Sequence, residues 1–178
     1  MNLKVSGTLV AISALFFCAP SNAALLLDPY IGVDFGIGAA TEFIDSERFT
    51  DNARSFGGTI GLDVPIFRIE LEYNYMTPQD ARFHLGLINL YAKMPTTIIQ
   101  PYIGAGVGTV FNGRMHDTDI EKITAYQAML GLTFDLPVIP FKIDVEGRVM
   151  YMPEIYDNTT PEPDILQYEG RLKLRYIF

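Results

Sequence analysis

The feature that most limits what this chain can fold into is an apolar–charged alternation with a period of two. In "FRIELEYNY" (67–75), Phe67, Ile69, Leu71, Tyr73 and Tyr75 share one face, and Arg68, Glu70, Glu72 and Asn74 share the other. In "FKIDVEGRVMY" (141–151) the apolar face is Phe141, Ile143, Val145, Gly147, Val149 and Tyr151. The opposite face is Lys142, Asp144, Glu146, Arg148 and Met150. The chain ends on the same pattern. In "RLKLRYIF", Leu172, Leu174, Tyr176 and Phe178 alternate with Arg171, Lys173 and Arg175. A two-residue period belongs to strands, which present successive side chains to opposite faces.

Similar segments cover about 30–39, 55–64, 83–94, 101–111, 123–135 and 165–178, so eight strands of about ten residues are expected. That is the length a tilted strand needs to cross a bilayer. Short connections fall at Pro65-Ile66, 95–100 and 136–140. Longer polar ones fall at about 40–54, 76–82, 112–122 and 152–164. Tight turns at one end and long loops at the other predict an all-β, eight-stranded antiparallel up-and-down transmembrane barrel, with short periplasmic turns and four longer extracellular loops. Outward parity then collects Phe67, Phe134, Phe141, Tyr176 and Phe178 at one rim, and Tyr73, Tyr75, Tyr126, Tyr151 and Tyr168 at the other. Two such aromatic girdles suit the headgroup levels of a membrane. A soluble antiparallel sandwich also alternates, and parity alone does not separate the two.

The N-terminus reads differently. "MNLKVSGTLVAISALFFCAPSNA" has one basic residue, Lys4, an apolar core from about Leu9 to Ala19 and a small-x-small site at Ser21-Asn22-Ala23. This predicts a cleaved secretory signal over 1–23 and a mature domain over 24–178. Gly7, Pro20 and the short core argue against a membrane helix there, and Phe16-Phe17 before Cys18 against a lipoprotein site. The only cysteine, Cys18, leaves with the signal, so no disulfide or thiolate site is expected. Loss of Lys4 leaves 12 basic against 21 acidic residues, a formal charge of −9. Nucleic acid is excluded as a partner by that sign.

On the barrel reading the lumen holds Arg68, Lys93, Lys142, Arg148, Arg171, Lys173 and Arg175 against Asp34, Asp63, Glu70, Glu72, Asp135, Asp144, Glu146 and Glu169. Buried charges persist only when paired and hydrogen-bonded. A near-neutral interior therefore predicts a filled lumen and no conducting pore, and eight strands leave just enough room for side chains. "PYIGVDFGIG" (29–38) and "PYIGAGVGTV" (101–110) put Gly32, Gly36, Gly38 and Gly104, Gly106, Gly108 on inward faces, making room for long Arg and Glu side chains reaching from neighbouring strands. "VPIFRIELEYNYM" (64–76) also matches "VIPFKIDVEGRVM" (138–150); duplication of a four-strand unit and repeated demands of a barrel both account for it.

No catalytic, cofactor-binding or metal-binding residues are expected. Gly104-x-Gly106-x-Gly108 runs into a strand and turn, not the helix a nucleotide loop needs. The mature chain has two serines, Ser46 and Ser55, and two histidines, His84 and His116. His116 beside Asp117 and Asp119 reads as a solvated loop residue before a weak divalent contact. Asn158-Thr159-Thr160 matches a glycosylation sequon, which carries no weight by itself.

The repeated "PYIGxxxG", "FRIELEYNY", "AYQAMLGLTFDL" and the terminal "LKLRYIF" together resemble the bacterial outer-membrane β-barrel domain family, which includes the opacity proteins and the small OmpA-like and OmpX-like barrels. The resemblance covers the whole mature chain. It implies residence in the outer membrane of a Gram-negative cell, in contact with its lipid and lipopolysaccharide, as a monomeric surface antigen. It also implies an assembly signal at Phe178, Tyr176, Leu174 and Leu172, read by the barrel-assembly machinery. The function expected is non-enzymatic and structural, with adhesion or another surface interaction through acidic loops. A soluble periplasmic ligand-binding barrel and a surface lipid-modifying enzyme are the alternatives.

Overall fold

The structure, a computed structural model, describes residues 27–44, 47–78, 81–115, 118–120, 123–135, 138–153 and 164–178. The signal segment 1–23, Ser46, His116, Asp117 and the 158–160 sequon lie outside the described residues. The strands are β1 (Asp28–Ile44), β2 (Glu47–Asp63), β3 (Phe67–Pro78), β4 (Ala81–Lys93), β5 (Ile99–Met115), β6 (Thr118–Ile120), β7 (Ile123–Asp135), β8 (Phe141–Met152) and β9 (Asp164–Ile177). All pairings are antiparallel, in the order β4-β3-β2-β1-β9-β8-β7-β5, and a β4–β5 pairing closes the ring. Eight long strands thus form the up-and-down barrel. The three-residue β6 folds back on the end of β5, pairing Gly113 with Ile120.

Strand parity follows the alternation. Along β8 and β9 exposed and buried residues alternate, with Asp144, Glu146 and Arg148, and Glu169, Arg171, Lys173 and Arg175, on the buried side. Ile69, Leu71, Leu130, Val145 and Leu172 face out, each at 49–67% exposure. The usual order is inverted, with charge inside and hydrocarbon outside. Water cannot solvate such a surface well, because contiguous apolar patches this large demand a lipid or protein cover. Phe67, Phe141, Tyr176 and Phe178 ring the turn end, and Tyr73, Tyr126, Tyr151 and Tyr168 ring the loop end, all exposed. Phe134 and Tyr75 stand in the same rings, half-buried. Leu130→Arg, at mid-strand, should cost about 2–4 kcal/mol in unfolding titrations of the lipid-embedded barrel. A change below about 1 kcal/mol would mean that this face does not meet hydrocarbon.

The strands run further than the alternation predicts. β1 and β2 stay paired from Asp28↔Asp63 to Ile44↔Glu47, so most of the 40–54 connection is strand. Above the apolar band nothing enforces an in–out pattern, and a hairpin can continue on backbone hydrogen bonds alone. β5 carries one irregularity: Val110 pairs with Leu85 but Asn112 with His84, leaving Phe111 as the extra residue of a bulge. Phe111 and Asn112 are consequently both exposed, and the inward side resumes at Gly113.

A candidate lumen charge network

Each lumen charge is delivered by a strand whose next residues are held outward, so its side chain can only point in. The structure places Arg68, Glu70, Glu72, Asp144, Glu146, Arg148, Arg171, Lys173 and Arg175 in the lumen at 3% exposure or less. Lys142 lies half-buried at the turn end. There Asp63 receives Lys93, Lys142 at 3.4 Å and Arg175 Nη1 at 3.2 Å, and Lys142 also pairs with Asp135 at 2.9 Å.

One layer deeper, Arg175 grips Asp144 with Nε and Nη2 at 2.8 and 2.9 Å, a two-pronged contact. Asp144 also accepts from Arg68 Nη1 at 2.9 Å and from Thr133 at 2.7 Å. The rest of the Arg68 guanidinium lies on aromatic faces, 3.9 Å from the Tyr91 ring centre and 4.7 Å from that of Tyr102. A desolvated guanidinium is stabilised by such faces. Glu70 accepts from Lys173 at 2.7 Å and from the Tyr30 and Tyr91 hydroxyls at 2.6 and 3.0 Å.

Arg171 is the hub of the next layer. Its guanidinium contacts Asp34, Glu72 at 2.8 Å, Glu146 at 3.2 Å and Glu169 at 3.3 Å. Arg148 joins the same group through Glu72 at 3.0 Å and Glu169 at 2.5 Å. Asn89 links Glu70 to Glu72, and Tyr102 donates to Glu146 at 3.0 Å. The polar groups thus form one connected network from the turn end to mid-barrel.

Glycines admit the large members. A Cβ at Gly36 would meet Ser55 and the Glu169 carboxylate, and one at Gly57 would lie 2.6 Å from the Asp34 oxygens. On β5 the guests are different: Gly104 is filled by Tyr91 and Gly106 by Asn89 and Gln127, not by the charged side chains expected there.

Above the network the lumen changes character. Ala40, Ala53, Met76, Phe83, Leu85, Leu87, Val110, Ile123, Ala125, Met150, Met152 and Ile165 form one buried apolar cluster across the loop half. Sequence reasoning missed this layer, and it missed the inward Tyr30, Tyr91 and Tyr102. An inward-parity count of apolar residues on β4 would have found the first. The structure therefore stacks a buried apolar plug on a paired charge network.

Leu172, Leu174, Tyr176 and Phe178 face outward on β9. Tyr176 meets Phe141 and Phe178 edge-on, with ring centres 5.2 and 5.3 Å apart. The Phe178 amide donates to Pro29 O at 3.0 Å, finishing the seam between β9 and β1. Among the described residues no cluster of metal-ligating side chains occurs.

No protein-family model matches the chain, and no curated protein sequence does either. Solved structures do. Neisserial surface protein A (NspA) aligns with a TM-score of 0.63 at 14% identity, over 84% of this chain and 97% of NspA. The outer membrane enzyme PagL aligns with a TM-score of 0.60 at 15% identity, over 80% of this chain and 97% of PagL. At these identities the likeness is one of architecture, and the chain has the fold of the small eight-stranded outer-membrane barrels.

Proposed function

We propose that this chain, exported with residues 1–23 removed, is a monomeric, non-enzymatic and non-conducting barrel of the bacterial outer membrane. It holds acidic loops outward toward a surface partner. The observation that carries this reading is the inverted section: an apolar exterior with aromatic rings at both ends, around a lumen closed by ion pairs and an apolar layer. A water-soluble ligand carrier would need the opposite exterior. The non-conducting reading is supported by the plug, since an eight-stranded lumen filled by side chains leaves no aqueous path.

The non-enzymatic reading is supported by where the two candidate groups among the described residues point. Ser55 faces the lumen and bonds Glu169 at 3.1 Å, whereas His84 faces outward and bonds the Tyr73 hydroxyl at 2.8 Å. The barrel wall separates them. PagL, an outer membrane enzyme on the same fold, makes a surface lipid-modifying activity the reading to test against.

Membrane fractionation with a heat-modified gel-mobility assay checks the placement. Protein recovered with outer-membrane markers and migrating faster before boiling is the expected outcome; a soluble species with no shift would end the proposal. For the loops, amidating the acids of 42–51 and 154–162 should weaken surface binding, either to lipopolysaccharide through bridging divalent cations or to a neighbouring cell. Asp164 is left unchanged there because it accepts from Tyr151 at 2.8 Å. Unaltered binding would assign the interaction elsewhere.

A further inference from the structure

We infer that the outer face of β2, β3 and β4 holds one phosphorylated lipid of the outer leaflet, lipopolysaccharide, by its phosphate and one acyl chain. This rests on the outer-membrane placement proposed above but uses the barrel wall, not the loops. The site begins with a row in register across the three strands, Gly58, Tyr73 and Gly86. Two outward glycines flank one tyrosine, leaving a groove of about 580 Å³ whose apolar walls include Ile60, Leu71, Tyr73 and Ile88. In a membrane such a groove is filled by hydrocarbon, and its depth lets one chain lie deeper than its neighbours.

Above the groove stands an aromatic collar. The His84 ring sits 4.8 Å from the Tyr75 ring and 6.2 Å from that of Phe111. Two residues further along the strands come two exposed cations, Arg54 opposite Thr77 on β2–β3 and Arg82 at the start of β4. The alternation assigned both arginines to loops; the structure sets them on the wall with outward parity. Arg54 lies four residues beyond Gly58, about 13 Å along the strand, and its backbone is two strands, about 10 Å, from that of Arg82. At a strand tilt of about 45° the cations thus stand about 9 Å above the groove, within the length of one lipid.

Charge makes an anion the partner of this row. The chain carries a formal charge of −8, so a cationic island is not a by-product of a basic surface. Guanidinium groups suit phosphate because their fork matches two of its oxygens.

Native mass spectrometry of the detergent-purified barrel, with lipid A as the probe, tests the site. Two double variants attack its halves. R54A/R82A removes the cations. G58L/G86L fills the groove, and a Cβ at those positions meets nothing nearer than 4.0 and 3.8 Å, so the wall accommodates it. R54A/R82A should cut lipid A retention about tenfold or more, in line with two lost headgroup charges, and G58L/G86L should reduce it by excluding the acyl chain. Dephosphorylated lipid A should bind wild type weakly and be indifferent to R54A/R82A. Unchanged lipid A retention in either variant overturns the site, and equal retention of phosphatidylglycerol overturns the assignment to lipopolysaccharide. Failure of the wild-type barrel to insert into vesicles would instead overturn the membrane placement, a separate readout.

Discussion

Arg171→Ala is expected to lower the unfolding free energy of the barrel by about 3–5 kcal/mol while leaving it able to insert. The size of the effect comes from what is left behind. Asp34, Glu72, Glu146 and Glu169 converge on this one guanidinium, and all four are buried. Without it their charges face each other with only Arg148 and Lys173 nearby. Arg171→Lys should recover only part of the loss, because an ammonium is a point charge and does not span carboxylates arranged around a plane. Urea titrations followed by gel mobility would measure both. Midpoints equal to wild type for the alanine variant would show that the network does not stabilise the fold.

Deleting Phe178 should do the reverse: sharply reduce insertion in cells, yet lower the stability of barrel refolded into lipid by only about 1–2 kcal/mol. In the folded state Phe178 contributes one edge-on ring contact and one seam hydrogen bond. Together these are worth about 1–2 kcal/mol. If the last strand is read by an assembly machinery, as the resemblance implies, the cellular defect should far exceed that figure. The informative comparison is outer-membrane yield in cells against refolding yield in vitro. A parallel drop in both would mean that Phe178 acts through stability alone.

Much of this architecture was legible because a lipid-facing strand has no freedom in its parity. Segments 67–75, 141–151 and 171–178 alternate apolar with charged residues, so a charge marks the inside without ambiguity. "FHLGLINLYAK" (83–93) is apolar on both parities, and only Asn89 and Lys93 betray which side is in. The inward Phe83, Leu85 and Leu87, and with them the apolar layer, were therefore legible only by counting parity back from those two residues. The lumen tyrosines were hidden for a related reason. A tyrosine suits a headgroup girdle and also suits a carboxylate-rich lumen, because its ring is apolar and its hydroxyl is not. Tyr30 and Tyr91 spend their hydroxyls on Glu70, and Tyr102 on Glu146. The bulge at Phe111 has no sequence mark, since it depends on the length of the partner strand. Arg54 and Arg82 were assigned to loops because charge on outward parity contradicts a hydrocarbon-facing strand, which holds only below the headgroups.

The tall β1–β2 hairpin has a mechanical consequence. Beyond the row carrying Tyr168, β1 and β2 continue for five more paired residues, from Ala40↔Asp51 to Ile44↔Glu47. That is about 16 Å along the strands, or roughly 12 Å of height at a tilt of about 45°. The hairpin is thus a stiff mast rather than a tether, and β9 braces it as far as Phe43↔Asp164. Its height above the barrel is set by strand length, so trimming one residue pair would lower it by about 2 Å.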